Sequence, residues 1–566
     1  MEKEILTFID ENLEIFGEPV RTSENKFFKT KDARSVYNKV INKLSENFVF
    51  PSTKSIWKLF NFTNNISTIK IRQEFFKNAE KKDNHFLTNI KQPKKTWKPK
   101  YGIIVVTEDD KTFLELQKLN CPVKIISNEQ DLPDLENYDI VQAVDCPDTR
   151  QILETLPQSV FLDSSEEAYL ERFLEELSGW KENLQLLKQH ETNPTINKII
   201  NELTPLTEIM RDEEKEKITR EKTEKALEEI NEKIEEKISE LNISGTQLMS
   251  ILNQNKLPEQ IQEIKENAIQ QSQIPEHLFE EGIPVRINEQ ELEKFLKIQD
   301  AEEHTSIAEK IKKNSEQIIK IPKKIKQLQN ELILFDFLGG LRGLTNEFPQ
   351  LSEEFSFEQS TNLFLNNAQP ISFHLDDKSK CSILTGANSG GKTTLLEHVI
   401  QLITLFQLGL PTPGNVKTPI FTEVYYFAKN KGETGKGAFE NLLSQMDKIE
   451  TGQKTLILAD EIESVTEPGV AGKIISATCE YFINKGCFLI VATHLGQEIQ
   501  KYPPEKSRID GIEAKGLNEY FELIVDHNPV LGRLANSTPE LIIQKLANSK
   551  ATEYYKFLNE KVKKKD

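Results

Sequence analysis

The spacing of apolar residues divides the chain into strand-rich and helical segments. From residue 101 to 165, short β-rich runs such as residues 102–107 alternate with helical patterns, which predicts a small α/β domain with buried parallel strands. Residues 166–345 carry apolar residues at three- and four-residue spacing in a background rich in Glu and Lys, which predicts long helices. Residues 346–566 return to buried strands separated by helices, whereas residues 1–100 give no identifiable fold.

Two apolar stripes in the helical segment predict a protruding lever. The first has the spacing of a coiled-coil seam and runs through Leu227, Ile230, Ile234, Ile238 and Leu241. The second is a candidate for the returning helix of an antiparallel hairpin, and it runs through Ile307, Ile311, Ile318, Ile325, Leu328 and Leu332. Residues 282–287 would form a small tip, and about 30 helical residues would give an arm of roughly 45 Å.

A basic stretch with interleaved aromatic residues closes the N-terminal segment. It contains Lys70, Arg72, Lys77, Lys81, Lys82, Lys91, Lys94, Lys95, Lys98 and Lys100, together with Phe75, Phe76, Phe86, Trp97 and Tyr101. Cations displace counterions from phosphates and rings stack on bases, so nucleic-acid binding is one interpretation. A solvated linker is the other, because the stretch is also punctuated by proline.

Composition narrows the class of protein. The chain has 566 residues and a net charge of −18, with 37% hydrophobic and 29% charged residues, which indicates several folded domains carrying much solvated helix. The net negative charge argues against a protein that binds nucleic acid over its whole surface. A local basic surface is still compatible with this net charge. The five cysteines are scattered without metal-ligand spacing, and no apolar run approaches the ~18 residues of a membrane span. We therefore expect a cytoplasmic protein with reduced thiols and no membrane contact.

The strongest chemical signal is a phosphate-binding loop. Its residues fit G-x-x-x-x-G-K-[ST] at every fixed position and lie between an apolar strand and a helical pattern, and they are Gly386, Ala387, Asn388, Ser389, Gly390, Gly391, Lys392 and Thr393. Backbone N–H groups at the start of the helix would face a polyphosphate. Lys392 would reach the β- and γ-phosphates of ATP, and the Thr393 hydroxyl would ligate Mg²⁺.

Two further strands end in residues that complete such a site. Residues 455–459 form an apolar run that ends in Asp460 and Glu461; Asp460 would hold Mg²⁺ and Glu461 would polarise the attacking water. Another apolar run ends in His494, which is placed to sense the γ-phosphate. Together these residues predict an ATP hydrolase.

The arrangement is that of ABC-type ATPases, and its detail resembles the MutS family. The resemblance rests on residues 384–394, including Thr394, on Asp460-Glu461-Ile462 followed by residues 465–469, and on residues 492–494. Within that family the chain is most similar to the paralogue branch that often carries a Smr nuclease, through residues 334–338 and 408–424. No Smr-like pattern follows residue 500. The three letters Phe16-Gly17-Glu18 match the mismatch-reading motif without its context, so we expect no mismatch-recognition domain.

The resemblance implies a multidomain α/β protein with four parts. These are an N-terminal region (1–100), a small connector-like α/β domain (101–165), a helical lever and coiled-coil clamp (166–345), and an ABC-type ATPase domain with a C-terminal helical dimerisation segment (346–566). It also implies a homodimer with composite ATP sites, each lined by a signature segment of the second subunit. In that segment Gly437 stands where a serine is expected, so its backbone N–H and Lys436 would replace the hydroxyl contact, and hydrolysis would be slow.

Two functions follow from the resemblance and stay open at this point. In the first, the homodimer clamps branched or structured DNA through its levers, and ATP binding and hydrolysis switch the clamp. In the second, the chain is an ATP-driven factor that remodels or rescues ribosomes, which the acidic balance mildly favours.

Overall fold

A computed structural model describes most of the chain. The described residues are 1–19, 25–94, 97, 102–118, 122–209, 218–239, 259–280, 282–345, 347–386, 390–429, 443–449, 452, 454–461, 468–518, 523–535, 538–550 and 552–563. The predictions that involve Ala387, Asn388, Ser389, Lys436 and Gly437 lie outside them. In the part of the chain that is described, no helix is both long and apolar enough to cross a membrane.

The helices fall in all segments of the chain. They are α1 (Glu2–Asn12), α2 (Lys31–Leu44), α3 (Ile66–Asn78), α4 (Asp110–Gln117), α5 (Leu132–Leu135), α6 (Arg150–Leu153), α7 (Glu171–Gln189), α8 (Pro194–Leu203), α9 (Arg220–Ser239), α10 (Glu259–Ser272), α11 (Glu289–Lys313), α12 (Ser315–Ile318), α13 (Ile321–Gly340), α14 (Lys392–Leu408), α15 (Pro468–Asn484), α16 (Gly496–Gln500), α17 (Thr538–Lys550) and α18 (Glu553–Lys563).

The strands form three sheets. They are β1 (Ile103–Thr107), β2 (Val123–Ile125), β3 (Ile140–Ala143), β4 (Ser159–Phe161), β5 (Gln350–Leu351), β6 (Phe355–Ser360), β7 (Ile371–Leu375), β8 (Cys381–Gly386), β9 (Asn415–Thr418), β10 (Glu423–Phe427), β11 (Thr455–Asp460), β12 (Phe488–Ala492), β13 (Ser507–Leu517) and β14 (Leu523–Val530).

One compact unit comprises Met1–Ile90, His190–Ile196 and Lys326–Asp566. Its main sheet has the order β10-β11-β12-β8-β13-β14, parallel except for the antiparallel β13–β14 pair. Strands β8, β11 and β12 are buried at nearly every position, as expected for a parallel sheet covered on both faces. The smaller sheet of this unit has the order β5-β9-β6-β7.

Helix α14 is the central element of this unit. It is buried almost along its whole length and shares a core with Phe357, Phe421 and Ile490, and polar side chains such as His398 and Gln401 are buried along it as well. It begins after Gly391 (φ 94°) and ends before Gly409 (φ 81°), both in the left-handed conformation that glycine adopts without steric cost. A side chain at Gly409 would place its Cβ 2.4 Å from the Cβ of Arg72.

The N-terminal residues pack into the same unit. Phe28 forms a parallel bridge with Val424 on the edge strand β10, and Phe28 and Val36 belong to the core around α14. The Thr30 hydroxyl donates to the carbonyl of Tyr426 at 2.7 Å and accepts from the N–H of Tyr426 at 3.0 Å. Residues 1–90 are therefore an integral part of this unit. The predicted boundaries at residues 100, 165 and 345 stay a prediction.

Asp336 joins α13 to the N-terminal residues. It is fully buried inside an otherwise apolar helical run. Its carboxylate accepts from the N–H of Val49 at 2.9 Å, the N–H of Phe50 at 3.0 Å, the Thr53 hydroxyl at 2.7 Å and the Asn84 amide at 2.7 Å. Donors on every side satisfy the buried carboxylate, as such a group requires.

The structure assigns most described rings and one cation of the basic stretch to packing. Phe76 and Phe86 are 2% and 7% exposed, and Phe86 stacks on His190 at 4.4 Å between ring centroids. Arg72 is 5% exposed and donates to the carbonyls of Asn61 and Leu59. The platform proposed for base stacking is therefore wrong for these three residues, because their polar atoms and faces are already used internally.

The second compact unit comprises Lys91–Gln189 and Asn197–Ile325. It contains the predicted small α/β fold as an all-parallel sheet of order β2-β1-β3-β4, with β4 as a strand that the sequence pattern did not reveal. Tyr169 is fully buried and its hydroxyl lies 2.8 Å from the carbonyl of Pro122.

Two residues of the first apolar stripe are buried, but the described residues do not show the predicted hairpin with the second stripe, and the coiled-coil clamp stays a prediction. Ile230 and Ile234 on α9 are buried, but they pack with Ile269 on α10 and with Val285 and Leu292, not with the second stripe. The second stripe is divided among α11, α12 and α13, because Asn314 ends α11 and another break precedes α13. The proposed tip also differs, since Val285 exchanges hydrogen bonds with Asn231 in the middle of α9.

Candidate nucleotide site

The parallel sheet collects the predicted site residues at one edge. Strands β11, β12 and β8 are neighbours in that order, so their carboxyl ends lie side by side, where open parallel sheets bind ligands. Gly386 ends β8, Asp460 ends β11, and His494 follows β12 by two residues. The structure thus brings together residues that are far apart in sequence.

Gly386 and Lys392 frame the described ends of the phosphate loop. Gly386 has φ 140°, and a Cβ there would lie 2.5 Å from the carbonyl oxygen of Ile512, so only glycine fits this close approach. Lys392 begins α14 and is 3% exposed, and its ammonium donates to the Gly386 carbonyl at 2.7 Å. The ammonium therefore lies beside the end of β8, at the start of a helix whose N-terminal N–H groups favour anions.

Thr393 and Asp460 form a pair of oxygen donors. The Thr393 hydroxyl donates to Asp460 Oδ2 at 2.5 Å, across 67 residues of sequence. Asp460 is 2% exposed, and among the described residues its Oδ1 has no hydrogen-bond partner. Burial raises the pKa of Asp460, against the hydrogen bond from Thr393. A hydroxyl and a carboxylate with a free buried oxygen fit Mg²⁺, which prefers hard oxygen ligands.

Glu461 lies in a strained backbone conformation beside two lysines and a histidine. Its φ is 49°, in the left-handed region that non-glycine residues avoid and that is found at functional sites. His494 Nε2 lies 2.8 Å from its Oε1, Lys392 Nζ lies 3.6 Å from the same oxygen, and Lys429 pairs with Oε2. Burial acts to raise the pKa of Glu461, but the contacts with Lys429, His494 and Lys392 outweigh it and hold the pKa below its usual value.

A cavity of about 270 Å³ adjoins the start of α14. Gly391, Lys392 and Thr394 line one side, and His527 on β14 lines the other. His527 Nδ1 lies 3.0 Å from the Gly390 carbonyl. The cavity lies next to the phosphate-loop site, and its volume is at the small end of the range for ligand pockets.

Below this cavity, buried polar groups hold the wall of the site in place. His398 is fully buried on α14, and its Nε2 lies 2.9 Å from the Ser360 hydroxyl. Gln401, next on the same face, donates to Asn362 at 3.1 Å and accepts from the N–H of Leu363 at 2.9 Å. Burial lowers the pKa of His398 to about 4, so the ring is neutral near pH 7.

Sequence reasoning missed Lys429 and His527. Lys429 follows β10, and only the strand order β10-β11 places it beside Glu461. His527 lies 137 residues from Gly390, and no local pattern marks it. Thr394 lines the cavity, and its contact with a nucleotide stays a prediction. In the described part of the chain, no cluster of three or more His, Cys, Asp or Glu forms a further metal site.

Among the similar proteins, one matches this chain over nearly its whole length. The chain is 28% identical over 583 residues to the "DNA-binding protein MutS2" of Pyrococcus furiosus, covering 94% of this chain and 99% of that protein. It is 29% identical over 135 residues to the "Endonuclease MutS2" of Acetivibrio thermocellus and 30% over 137 residues to the "DNA mismatch repair protein MutS" of Fervidobacterium nodosum.

The last two matches cover 23% of this chain and 17% of each relative, so the chain matches about a sixth of those proteins. A scan against models of protein families finds no match. The first match, in contrast, extends over nearly the whole of both chains. The chain is therefore similar over nearly its whole length to a MutS2 protein, and its loop, carboxylate and histidine motifs lie together at one sheet edge.

Proposed function

We propose that the chain is an ATP-hydrolysing, DNA-binding protein of the MutS family that acts in DNA repair. The observation that supports this proposal most is the hydrogen bond from the Thr393 hydroxyl to Asp460 at 2.5 Å, with Glu461 and Lys392 beside it. It joins the phosphate loop and the acidic strand end into one site of the kind that binds a nucleoside triphosphate with a divalent cation. The printed name of the full-length relative, a DNA-binding protein, supports the choice of partner.

Each residue then has a chemical role. Lys392 moves from the Gly386 carbonyl to the β- and γ-phosphates, and N–H groups at the start of α14 hold the same anion. Thr393 and Asp460 hold Mg²⁺, which would supply positive charge against the phosphates. Glu461 accepts the proton of the attacking water, and His494, 2.8 Å from Glu461, orients that carboxylate and contacts the γ-phosphate.

We extend the proposal to a homodimer of ABC type that clamps branched or structured DNA. Each site would be completed by the segment around Gly437 of the second subunit, and the loss of its hydroxyl would slow hydrolysis. ATP binding would then close the clamp, and hydrolysis would release it.

The test measures binding to duplex, branched and single-stranded DNA, and to ribosomes, with and without ATP at fixed salt. Lys392→Ala serves as the nucleotide-blind control, since it removes the ammonium that reaches the phosphates. We expect ATP to change the affinity of the wild type for branched DNA and to leave that of the variant unchanged. ATP-dependent binding to ribosomes without binding to DNA would replace the proposal with the ribosome function. Binding that is insensitive to ATP on every target would refute it.

A further inference from the structure

A second cleft lies along the exposed face of α2, in the same compact unit as the nucleotide site. It has a volume of about 1050 Å³ and is formed by residues 25–62, away from the nucleotide site. Its rim carries Lys26, Lys31, Arg34 and Lys39. None of its lining residues, all within the described segment 25–94, is an acid. In a chain of net charge −18, this concentration of cations selects an anionic partner by charge complementarity.

The positive charge in the cleft is only partly neutralised by the protein. Lys39 pairs with Glu397 at 3.3 Å, across the edge of the cleft. Lys26 and Lys31 are exposed and form no ion pair within the described part of the chain. These two ammonium groups lie at the first turn of α2 and in the loop before it, where they are accessible to a ligand in the cleft.

Amide side chains give the cleft a second kind of contact. Asn38, Asn42 and Asn61 line it, and their side chains make no hydrogen bond within the described residues. An amide offers both a donor and an acceptor, the pattern that reads the edges of bases. From Lys31 to Asn42 the helix face extends for about 16 Å, which is long enough to follow several consecutive nucleotides.

The floor of the cleft is aromatic. Trp57 and Phe62, each 3% exposed, line it together with Phe27 and Tyr37, which are half-buried. Half-exposed rings beside cations are the arrangement that binds single strands, because bases stack on the rings while phosphates contact the cations. The bases of a duplex are already paired and stacked, so they are not free to stack on these rings.

We propose that this cleft binds single-stranded DNA, with Lys26 and Lys31 on the phosphates and the asparagine amides on unpaired bases. The inference rests on the proposed DNA-binding function and adds a separate site for the unpaired strand. A branched or partly unwound DNA exposes such a strand, so the cleft would distinguish it from intact duplex.

The test compares a cleft variant with a charge-matched control. Lys26→Glu combined with Lys31→Glu reverses two charges in the cleft. Lys54→Glu combined with Lys70→Glu reverses two exposed charges of the same region that do not line it. Fluorescence anisotropy measures the affinity for a 20-nucleotide single strand and for the matching duplex over a salt series, and ATP affinity confirms that each variant is folded.

We expect the cleft variant to bind the single strand at least about tenfold more weakly at 0.1 M salt, with the salt slope reduced by about 1.4 for two lost phosphate contacts. The control should change the single-strand affinity less than twofold. Equal weakening in both variants, or loss of duplex binding alone, would overturn the site. If the wild type and the cleft variant bind single strands equally well, only the site is refuted. If the wild type binds no DNA, the proposed function is refuted as well.

Discussion

Replacing Glu461 by Gln tests the proposed chemistry of the site directly. The substitution keeps the shape of the side chain but removes the charge that contacts His494 at 2.8 Å and Lys392 at 3.6 Å. A general base contributes about 10²- to 10⁴-fold to a rate, so we expect hydrolysis of ATP to fall by that factor.

The same change should not weaken the binding of ATP. At an effective dielectric of about 20, two unit charges 3.6 Å apart attract by about 4–5 kcal/mol, so the Glu461 carboxylate competes with phosphate for Lys392. If the loss of this competing charge in Glu461→Gln strengthens the contact between Lys392 and ATP by even a quarter of that energy, about 1 kcal/mol, the Kd for ATP falls about fivefold. Slower hydrolysis with tighter binding is a combination that a merely structural defect does not produce.

Single-turnover hydrolysis and equilibrium binding of a fluorescent ATP analogue measure the two effects separately. Glu423→Gln is the matched control, because Glu423 starts β10, at the end of the sheet opposite to the site, and pairs with Lys29. Its hydrolysis rate should stay near that of the wild type. A Glu461→Gln variant that hydrolyses ATP at the wild-type rate would show that the base lies elsewhere.

Three further substitutions examine the site and its support. Thr393→Val should abolish Mg²⁺-dependent binding of ATP while Thr393→Ser retains it, and isothermal titration with and without Mg²⁺ would contradict the ligand assignment if both variants bind alike. Asp336→Asn replaces one acceptor by a donor among buried donors, so we expect it to lower the free energy of unfolding by about 3–5 kcal/mol in urea. The exposed Asp377→Asn should lose less than about 1 kcal/mol, and equal losses would argue against the buried network. His398 stays neutral in the fold because burial lowers its pKa to about 4, whereas the unfolded chain takes up its proton near pH 6.5. Stability that is present above pH 6.5 should therefore be lost as pH falls toward 4, by about 3 kcal/mol in all. His398→Gln should flatten this dependence, and an unchanged slope would show that other groups cause it.

The residues of the candidate site could be predicted from sequence because most of them lie in short local motifs. Gly386, Lys392 and Thr393 lie in one loop, and Asp460 and Glu461 end one apolar strand, so each motif is readable alone. A parallel sheet places the ends of its strands at one edge, which is why the motifs could be combined. Lys429 has no such motif, since its role depends on which strand lies next to β11.

The parts that sequence reasoning missed depend on contacts between distant residues. Phe76 and Phe86 have the same local pattern whether their rings face solvent or a core, and only packing with α13 and neighbouring residues decides it. The second helical stripe looked continuous because apolar spacing does not register the break at Asn314. From sequence alone, Asp336 interrupts an apolar run without an evident reason. The reason is the set of hydrogen-bond donors supplied by residues between 49 and 84.

The pairing of Phe28 with Val424 has a consequence for how the chain folds. Strand β10 is the edge of the main sheet, and an open edge is a template for association with other chains. The hydrogen bonds between Thr30 and Tyr426 join residues 396 positions apart, so residues 28–30 are made early but meet their partner strand only after about three-quarters of the chain has been synthesised. Contacts of such sequence separation form slowly. Residues 28–30 therefore cover an otherwise open edge of the main sheet, and a fragment that lacks the first thirty residues should aggregate during folding even though every residue of the nucleotide site is present.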